Sequence, residues 1–151
     1  MTEKKRTIDT KLADNMTQEQ LLAMPEDQYM NDQQLAYFKK LLLEIQEKML
    51  SNAKNFTKHF QDKEGDHVAD LSDQATNEEN NNLQVKAINR EANLLIKIEK
   101  SLRAIESREY GFCRVSGDPI GLPRLLIRPT AEFTTEIQDG KEKKQKHYAD
   151  D

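Results

Sequence analysis

The segment LAYFKKLLLEIQEKMLSNAKNFTKHF, residues 35–60, decides the fold. Its large apolar side chains recur at gaps of mostly three and four residues, the spacing that places them on one face of an α-helix. They are Leu35, Phe38, Leu42, Ile45, Met49, Phe56 and Phe60. Asn31 can cap the start of this helix, which at about 1.5 Å per residue over about 30 residues is roughly 45 Å long.

A second apolar row follows KEGDHVADLSD, residues 63–73, an acidic segment with a glycine that predicts a turn. Helical periodicity resumes near Ser72 and continues to about Arg108. Its predicted inner face consists of Val85, Ile88, Ala92, Leu95, Ile98, Leu102 and Ile105. Two long amphipathic helices joined by a short turn bury their apolar rows on each other. We therefore predict a mainly α protein with an antiparallel coiled-coil hairpin over residues 32–108, its tip near residues 63–75.

Shorter regions precede the hairpin. The polar residues 1–16 predict a flexible leader. Thr17 and Gln20 have the spacing of a capping box, so a short helix is expected within residues 17–31, and Pro25 ends it. We expect this segment to pack on the globular part of the chain.

After the hairpin, glycines and prolines mark a series of tight turns. Residues 109–138 predict a small globular domain that ends in a helix over residues 131–138, capped by Thr130. The lysine-rich residues 139–151, which begin around Gly140, predict a charged tail.

Composition excludes several classes of protein. No segment approaches the roughly 20 apolar residues of a membrane span, and the N-terminus lacks a signal-peptide core, so a cytoplasmic protein is expected. The net charge of −4 gives no indication of direct DNA binding. Charge is unevenly distributed: residues 61–82 contain seven acidic side chains and one lysine, whereas residues 86–108 contain six basic and three acidic ones.

The globular segment has the spacing of a zinc ribbon without its ligands. Cys113, Ser116, Thr134 and Ile137 occupy the four positions of a C-x2-C-x17-C-x2-C pattern, and one of the four is a cysteine. Hydroxyl groups are poor zinc ligands and an isoleucine is none, so no structural zinc is expected. A small apolar core would have to replace it. The candidates are Phe112, Val115, Ile120, Leu122, Leu125, Ile127, Phe133 and Ile137.

The sequence offers no arrangement of residues that predicts an enzyme. It has three scattered histidines, no nucleophile motif and no phosphate-binding glycine loop. The acidic turn contains Asp66, Asp70 and Asp73 but does not match a calcium loop, and an exposed turn offers no cleft for acid–base catalysis. Taken alone, it is typical of a solvated turn with helix-capping aspartates.

Five stretches together resemble one known family. They are YMNDQQLAYFKKLL at 29–42, DLSDQA at 70–75, LLIKIEKSL at 94–102, EYGFC at 109–113 and DPIGLPRLLIRPTAEF at 118–133. The chain is similar, over about residues 29–138, to the DksA/TraR family of bacterial RNA polymerase-binding transcription factors.

The resemblance implies a monomeric factor that docks on RNA polymerase, core or holoenzyme, and inserts its hairpin into the secondary channel. The family's tip motif corresponds to Asp70, Asp73 and Ala75, which would disturb the initiation complex without contacting promoter DNA. A negative tip on a long rod can reach a buried Mg²⁺ or cationic site, which agrees with this role.

The family also binds the alarmone guanosine tetraphosphate (ppGpp) at its junction with polymerase. By motif, Leu94, Lys97 and Arg128 correspond to the family's contacts, and cations are what a polyphosphate requires. Gln138 stands where the family has a lysine, so weaker alarmone binding is expected. The single cysteine resembles the cysteine-poor, zinc-independent members of the family.

Two other functions fit the same sequence. A coiled-coil scaffold or chaperone-like protein would hold a partner on its helices and be insensitive to charge at the tip. A Gre-like elongation factor would use an acidic tip to hold Mg²⁺ and stimulate cleavage of the transcript.

Overall fold

The computed structural model describes residues 7–63 and 71–149, and for residues 56–63, 71–76 and 147–149 it describes the backbone alone. The mainly helical fold is confirmed. The α-helices are α1 (Gln18–Leu22), α2 (Asp32–Lys63), α3 (Leu71–Ser107), α4 (Leu122–Ile127) and α5 (Thr135–Ala149). In the part of the chain that the model describes, no helix is both long enough and apolar enough to cross a membrane.

The chain divides into two compact units. The hairpin unit comprises residues 43–99, and the terminal unit comprises the residues up to Leu42 and from Lys100 onward. In the hairpin unit, α2 as far as Lys63 and α3 from Leu71 onward are the two helices of the predicted hairpin. Ile98 is fully buried, and Ile45, Met49 and Leu95 are half-buried.

The predicted inner face of α3 is wrong at its N-terminal end. Val85 is 54% exposed, Ile88 is 44% exposed and Ala92 is also exposed. The reason is in the spacing, because Ala92, Leu95 and Ile98 are separated by two successive gaps of three residues. Each gap of three advances only about 300° around a helix, so two in succession rotate the apolar row out of the helix interface.

The core of the terminal unit is formed by residues from distant parts of the sequence. Its large, fully buried apolar side chains are Leu21, Leu35, Phe38, Leu42, Ile105 and Leu125. The Phe38 ring lies 5.5 Å from the ring of Tyr110, centroid to centroid. The start of α2, the end of α3 and two short helices therefore share one core.

The capping interactions predicted for the first helices are confirmed. The Thr17 side chain accepts a hydrogen bond from the Gln20 amide, and the Gln20 side chain accepts one from the Thr17 amide. At the start of α2, the Asn31 side chain accepts a hydrogen bond of 2.9 Å from the Gln34 amide. Each cap satisfies an amide that has no partner within its helix.

The flexible leader predicted over residues 1–16 is wrong from Ile8 onward, whereas residues 1–6 lie outside the described residues. Ile8 and Ala13 are buried, and a 3-10 helix covers Thr10–Ala13. The Lys39 ammonium donates a hydrogen bond of 2.8 Å to the carbonyl oxygen of Ile8. The sequence in this region is polar, but burial of its few apolar side chains fixes it.

The C-terminal prediction also needs correction. The terminal helix begins at Thr135 rather than at residue 131, and it continues through Gly140 to Ala149. The charged tail predicted over residues 139–151 is therefore helical as far as Ala149. The Lys141 ammonium lies 3.7 Å from the centroid of the Phe133 ring, a cation–π contact that fixes the first turns of the helix. Gly140 costs a helix only about 1 kcal/mol relative to alanine.

Candidate functional site

The predicted tip residues lie at the start of α3. Asp73 and Ala75 are in its first two turns, and the structure describes their backbone but not their side chains. Asp70 lies outside the described residues. A carboxylate in the first turn of a helix is stabilised by the positive end of the helix dipole. An aspartate at position 73 therefore suits the start of α3 as well as a charged tip.

The predicted alarmone contacts fall in both units. Leu94 and Lys97 are exposed positions three residues apart on α3 in the hairpin unit. Arg128 is the exposed C-terminal cap of α4 in the terminal unit. Within each unit, these side chains are accessible to a ligand.

Arg128 and Gln138 line one pocket of about 380 Å³ between α4 and α5. Its other lining residues are Arg124, Ile127, Thr135, Asp139 and Glu142. The Gln138 amide donates a hydrogen bond of 3.1 Å to the Glu142 carboxylate, and the guanidinium of Arg124 donates one of 3.2 Å to the Phe133 carbonyl oxygen. Arg128 has no ion pair with any described residue. Its guanidinium is free to bind an anion, while two carboxylates on the same pocket weaken the attraction.

The four zinc-ribbon positions do not provide a zinc site. Cys113 is buried, Ser116 and Thr134 contribute hydroxyl groups, and Ile137 contributes no donor atom. No cluster of three or more His, Cys, Asp or Glu side chains able to hold a metal occurs in the described part of the chain. Since zinc requires four nitrogen, sulfur or carboxylate ligands in such a site, these residues do not fit it.

Hydrogen-bond donors surround the Cys113 sulfur instead. Burial raises the pKa of the Cys113 thiol, but hydrogen bonds from the Ser116 side chain and from the backbone amides of Ser116, Thr134 and Val115 outweigh it and lower the pKa to about 6. The amide of Gly117 closes the turn by donating to the Cys113 carbonyl oxygen at 2.9 Å. The donors of this turn thus stabilise a thiolate at Cys113.

The apolar core predicted for the globular segment is wrong at two of its eight positions, and five others are half-buried. Leu125 is fully buried, but Val115 is 62% exposed and Ile127 is 86% exposed. Two tyrosine hydroxyls hold the segment instead. Tyr29 donates a hydrogen bond of 2.6 Å to the Gly111 carbonyl oxygen and accepts one of 3.0 Å from the Gly121 amide.

Tyr110 provides a similar link. Its hydroxyl donates a hydrogen bond of 2.6 Å to the Pro129 carbonyl oxygen. Burial raises the pKa of both Tyr110 and Tyr29, so each remains a neutral donor. Sequence analysis missed both tyrosines; Tyr110 directly precedes Gly111, which was a signal, whereas no glycine lies near Tyr29 in the sequence.

A charged cluster fixes the N-terminal segment to the helices. The Lys39 ammonium donates to Glu106 Oε1 at 2.6 Å, and the amide of Ile8 donates to Glu106 Oε2 at 3.2 Å. Partial burial raises the pKa of Glu106, but these hydrogen bonds and the charges of Lys39 and Arg108 outweigh it, so the pKa of the carboxyl lies below its usual value. Periodicity alone gave no indication of this cluster.

Comparison with known proteins identifies relatives for both parts of the chain. Residues 34–105 match the model of the DnaK suppressor protein DksA, N-terminal domain, and residues 108–143 match that of the prokaryotic dksA/traR C4-type zinc finger. The second model is named for four cysteines, whereas its match here contains one.

Whole-length similarity agrees with these matches. The RNA polymerase-binding transcription factor DksA of Caulobacter vibrioides is 39% identical over 126 residues, covering 83% of this chain and 88% of that protein. The Escherichia coli protein of the same name is 34% identical over 125 residues, covering 83% and 82%. Among solved structures, the transcription factor DksA2 from Pseudomonas aeruginosa superposes with a TM-score of 0.75 at 34% identity, covering 87% of this chain and 100% of that one.

Proposed function

This chain belongs to the DksA/TraR family of RNA polymerase-binding transcription factors, and we propose that it regulates initiation by inserting its hairpin tip into the polymerase secondary channel. It acts as a regulator rather than an enzyme, and it does not read promoter sequence. It acts on ribosomal RNA promoters, in the stringent response, together with ppGpp.

One observation carries this proposal. Two helices of 32 and 37 residues are separated by seven residues, and the family's tip motif, Asp70, Asp73 and Ala75, spans the end of that connection and the start of α3. A 32-residue helix is about 48 Å long, which is sufficient to carry a charged segment deep into a channel. Seven acidic side chains within residues 61–82 supply the negative charge. Such a tip favours binding near a cationic or Mg²⁺-containing site.

By the family's motif, the proposed alarmone contacts are Leu94 and Lys97 in the hairpin unit and, separately, Arg128 in the terminal unit. Exposure of all three side chains, and the absence of an ion pair to Arg128 among the described residues, support this assignment. Gln138 is hydrogen-bonded to Glu142 and offers no positive charge. We therefore propose a weaker response to ppGpp than a lysine at this position would give.

We further propose that the globular segment folds without zinc. The hydrogen bonds of Tyr29 and Tyr110 and the donors around Cys113 support this, since they join turns of the segment without a metal. The test is the zinc content of purified protein together with its melting temperature after treatment with a chelator. Stoichiometric zinc, or unfolding of the segment by chelator, would rule the proposal out.

The function itself is tested by transcription in vitro from a ribosomal RNA promoter, with and without ppGpp, and by binding to core polymerase. We expect tight binding and an altered yield of initiated transcripts that ppGpp strengthens. Absence of binding would reject the proposal. A cleavage assay on backtracked complexes separates it from the Gre-like alternative, because an initiation regulator leaves the cleavage rate unchanged.

A further inference from the structure

A cavity of about 420 Å³ lies in the terminal unit, between the C-terminal part of α3 and the turns of the globular segment. It is lined from α3 by Lys100, Ser101 and Ala104, and from the globular segment by residues 109–114, Ala131 and Glu132. Its volume is in the range of small-molecule sites in proteins. None of its lining residues lines the pocket that contains Arg128, and none is a proposed alarmone contact. The cavity is therefore a separate candidate site.

The Ser101 hydroxyl in the wall of this cavity has no partner in the fold. Only 5% of Ser101 is exposed, and its hydroxyl forms no hydrogen bond with any described residue. Every completely buried side-chain nitrogen or oxygen among the described residues does have a hydrogen-bond partner. The Ser101 oxygen therefore keeps its small exposure toward the cavity that it lines. Because the fold does not use this hydroxyl, it is available as a hydrogen-bond donor to a ligand.

Two opposite charges on the lining also lack partners. Lys100 and Glu109 are exposed, and neither forms an ion pair with a described residue. The two side chains therefore do not neutralise each other, although they line the same cavity. Arg114 and Glu132, which also line it, are already paired with each other at 3.7 Å. One lysine and one glutamate are thus left to bind charged groups of a ligand.

This arrangement favours a zwitterion over an anion or a cation. Lysine and arginine are balanced by two glutamates on the lining, so a polyphosphate or a polyamine would meet as much repulsion as attraction. A free α-amino acid has a carboxylate and an ammonium group on the same carbon. Its carboxylate can accept hydrogen bonds from Lys100 and Ser101, which are neighbours on α3, while its ammonium donates to Glu109. Ala104 and Phe112 provide an apolar wall for its side chain.

We propose that this cavity binds a free α-amino acid, with the ligand carboxylate on Lys100 and the Ser101 hydroxyl and the ligand ammonium on Glu109. The bound amino acid joins α3 to the globular segment, so binding stabilises the terminal unit. The inference goes beyond the proposed function and does not rest on it, because binding requires neither polymerase nor ppGpp.

The test uses the full-length chain and each of the common α-amino acids at about 10 mM, measured by calorimetry and by thermal unfolding. We expect at least one amino acid to bind with a Kd below about 1 mM and to raise the melting temperature by about 3 °C or more. Two analogues of similar size then test the role of each charge. The corresponding 2-hydroxy acid lacks the ammonium group and the amino acid amide lacks the carboxylate, so each should bind about fivefold more weakly.

Ser101→Ala should raise the Kd for the amino acid about tenfold. It should leave the melting temperature of the ligand-free protein unchanged, because the hydroxyl has no partner among the described residues. Ser107→Ala is the matched control, since Ser107 lies on the same helix outside the cavity and its hydroxyl donates to the Ala104 carbonyl oxygen at 3.1 Å. We expect this control to change the Kd by less than about twofold.

Glu109→Gln should raise the Kd about fivefold and remove the preference for the amino acid over its 2-hydroxy acid, because both changes delete the same ion pair. Lys100→Gln should likewise remove the preference over the amide, whereas Arg103→Gln, an exposed cation of α3 outside the cavity, should not. If no amino acid binds, solvent alone fills the cavity and the inference is overturned. Binding that all three lining variants leave unchanged would overturn it as well, and either result leaves the proposed function intact.

Discussion

The hydroxyl of Tyr29 donates a hydrogen bond of 2.6 Å to the carbonyl oxygen of Gly111, a residue 82 positions later in the chain. The same hydroxyl accepts from the Gly121 amide, and the Tyr29 ring meets the Phe112 ring edge-on at 5.5 Å. One side chain thus joins the N-terminal segment to two turns of the globular segment. In a zinc ribbon, metal ligation supplies such links.

Tyr29→Phe should therefore destabilise the protein by about 1 to 3 kcal/mol, because the Gly121 amide loses its partner and the Gly111 carbonyl oxygen keeps only the Ile120 amide. Denaturant unfolding measures the change. Tyr37→Phe is the matched control, since Tyr37 contacts Phe38 through its ring and its hydroxyl has no partner among the described residues. Equal stability of the two variants would show that Tyr29 does not hold the turns.

Thiolate absorbance measured against pH should show how far the hydrogen-bond donors around Cys113 lower the pKa of its thiol. In the folded protein we expect a midpoint near pH 6, and Ser116→Ala should raise it because one donor is lost. The pKa of the Cys113 thiol is lower in the folded protein than in the unfolded chain. The thiolate therefore contributes its full stabilisation above the unfolded pKa, and this contribution is lost as pH falls through the folded pKa. Stability should accordingly rise between about pH 6 and about pH 8.5, the ordinary thiol value. A midpoint at the ordinary value would contradict this account.

Lys39→Met should release the N-terminal segment. Lys39 bonds both Glu106 and the Ile8 carbonyl oxygen, so we expect a loss of about 1 to 3 kcal/mol and faster hydrogen exchange of the amides in residues 8–16. Lys40→Met is the control, because it removes a more exposed ion pair in which the Lys40 ammonium lies 3.7 Å from the Asp14 carboxylate. We expect it to lower the free energy of unfolding by less than about 0.5 kcal/mol.

The same cluster predicts a pH dependence in acid. The pKa of Glu106 is lowered in the folded protein. The contribution of its carboxylate to the free energy of unfolding is therefore complete above the carboxyl pKa of the unfolded chain, and it is lost as pH falls through the pKa of the folded protein. Between these two pKa values, Glu106→Gln should make the free energy of unfolding depend less steeply on pH. An unchanged slope would show that Glu106 is not the group responsible.

The alarmone response should depend on charge at position 138. Gln138→Lys adds a cation to the pocket that contains Arg128, but Glu142, four residues later, can pair with it. We therefore expect the double variant Gln138→Lys/Glu142→Gln to strengthen ppGpp binding to the polymerase complex by roughly tenfold, and more than Gln138→Lys alone. Glu142→Gln alone is the control. If none of the variants changes binding, the ligand does not occupy this pocket.

Sequence periodicity predicted the helices of the hairpin because each carries many apolar residues in register. It misassigned Val85 and Ile88 because a row with two successive gaps of three was treated as continuous. The burial of Ile8 and the extension of α5 past Gly140 depend on contacts with distant residues, such as Lys39 with Ile8, that local patterns do not contain. The roles of Asp70, Asp73, Leu94, Lys97 and Arg128 remain predictions from family resemblance.

The central claim is that the aspartates at the hairpin tip act inside polymerase. Asp73→Asn removes one negative charge and keeps the size of the side chain. The measurement is transcription in vitro from a ribosomal RNA promoter at matched polymerase occupancy, with Asp27→Asn, an exposed aspartate far from the tip in sequence, as control. We expect Asp73→Asn to bind polymerase with wild-type affinity and to lose its effect on initiation, while Asp27→Asn keeps it. Wild-type regulation by Asp73→Asn would contradict the account.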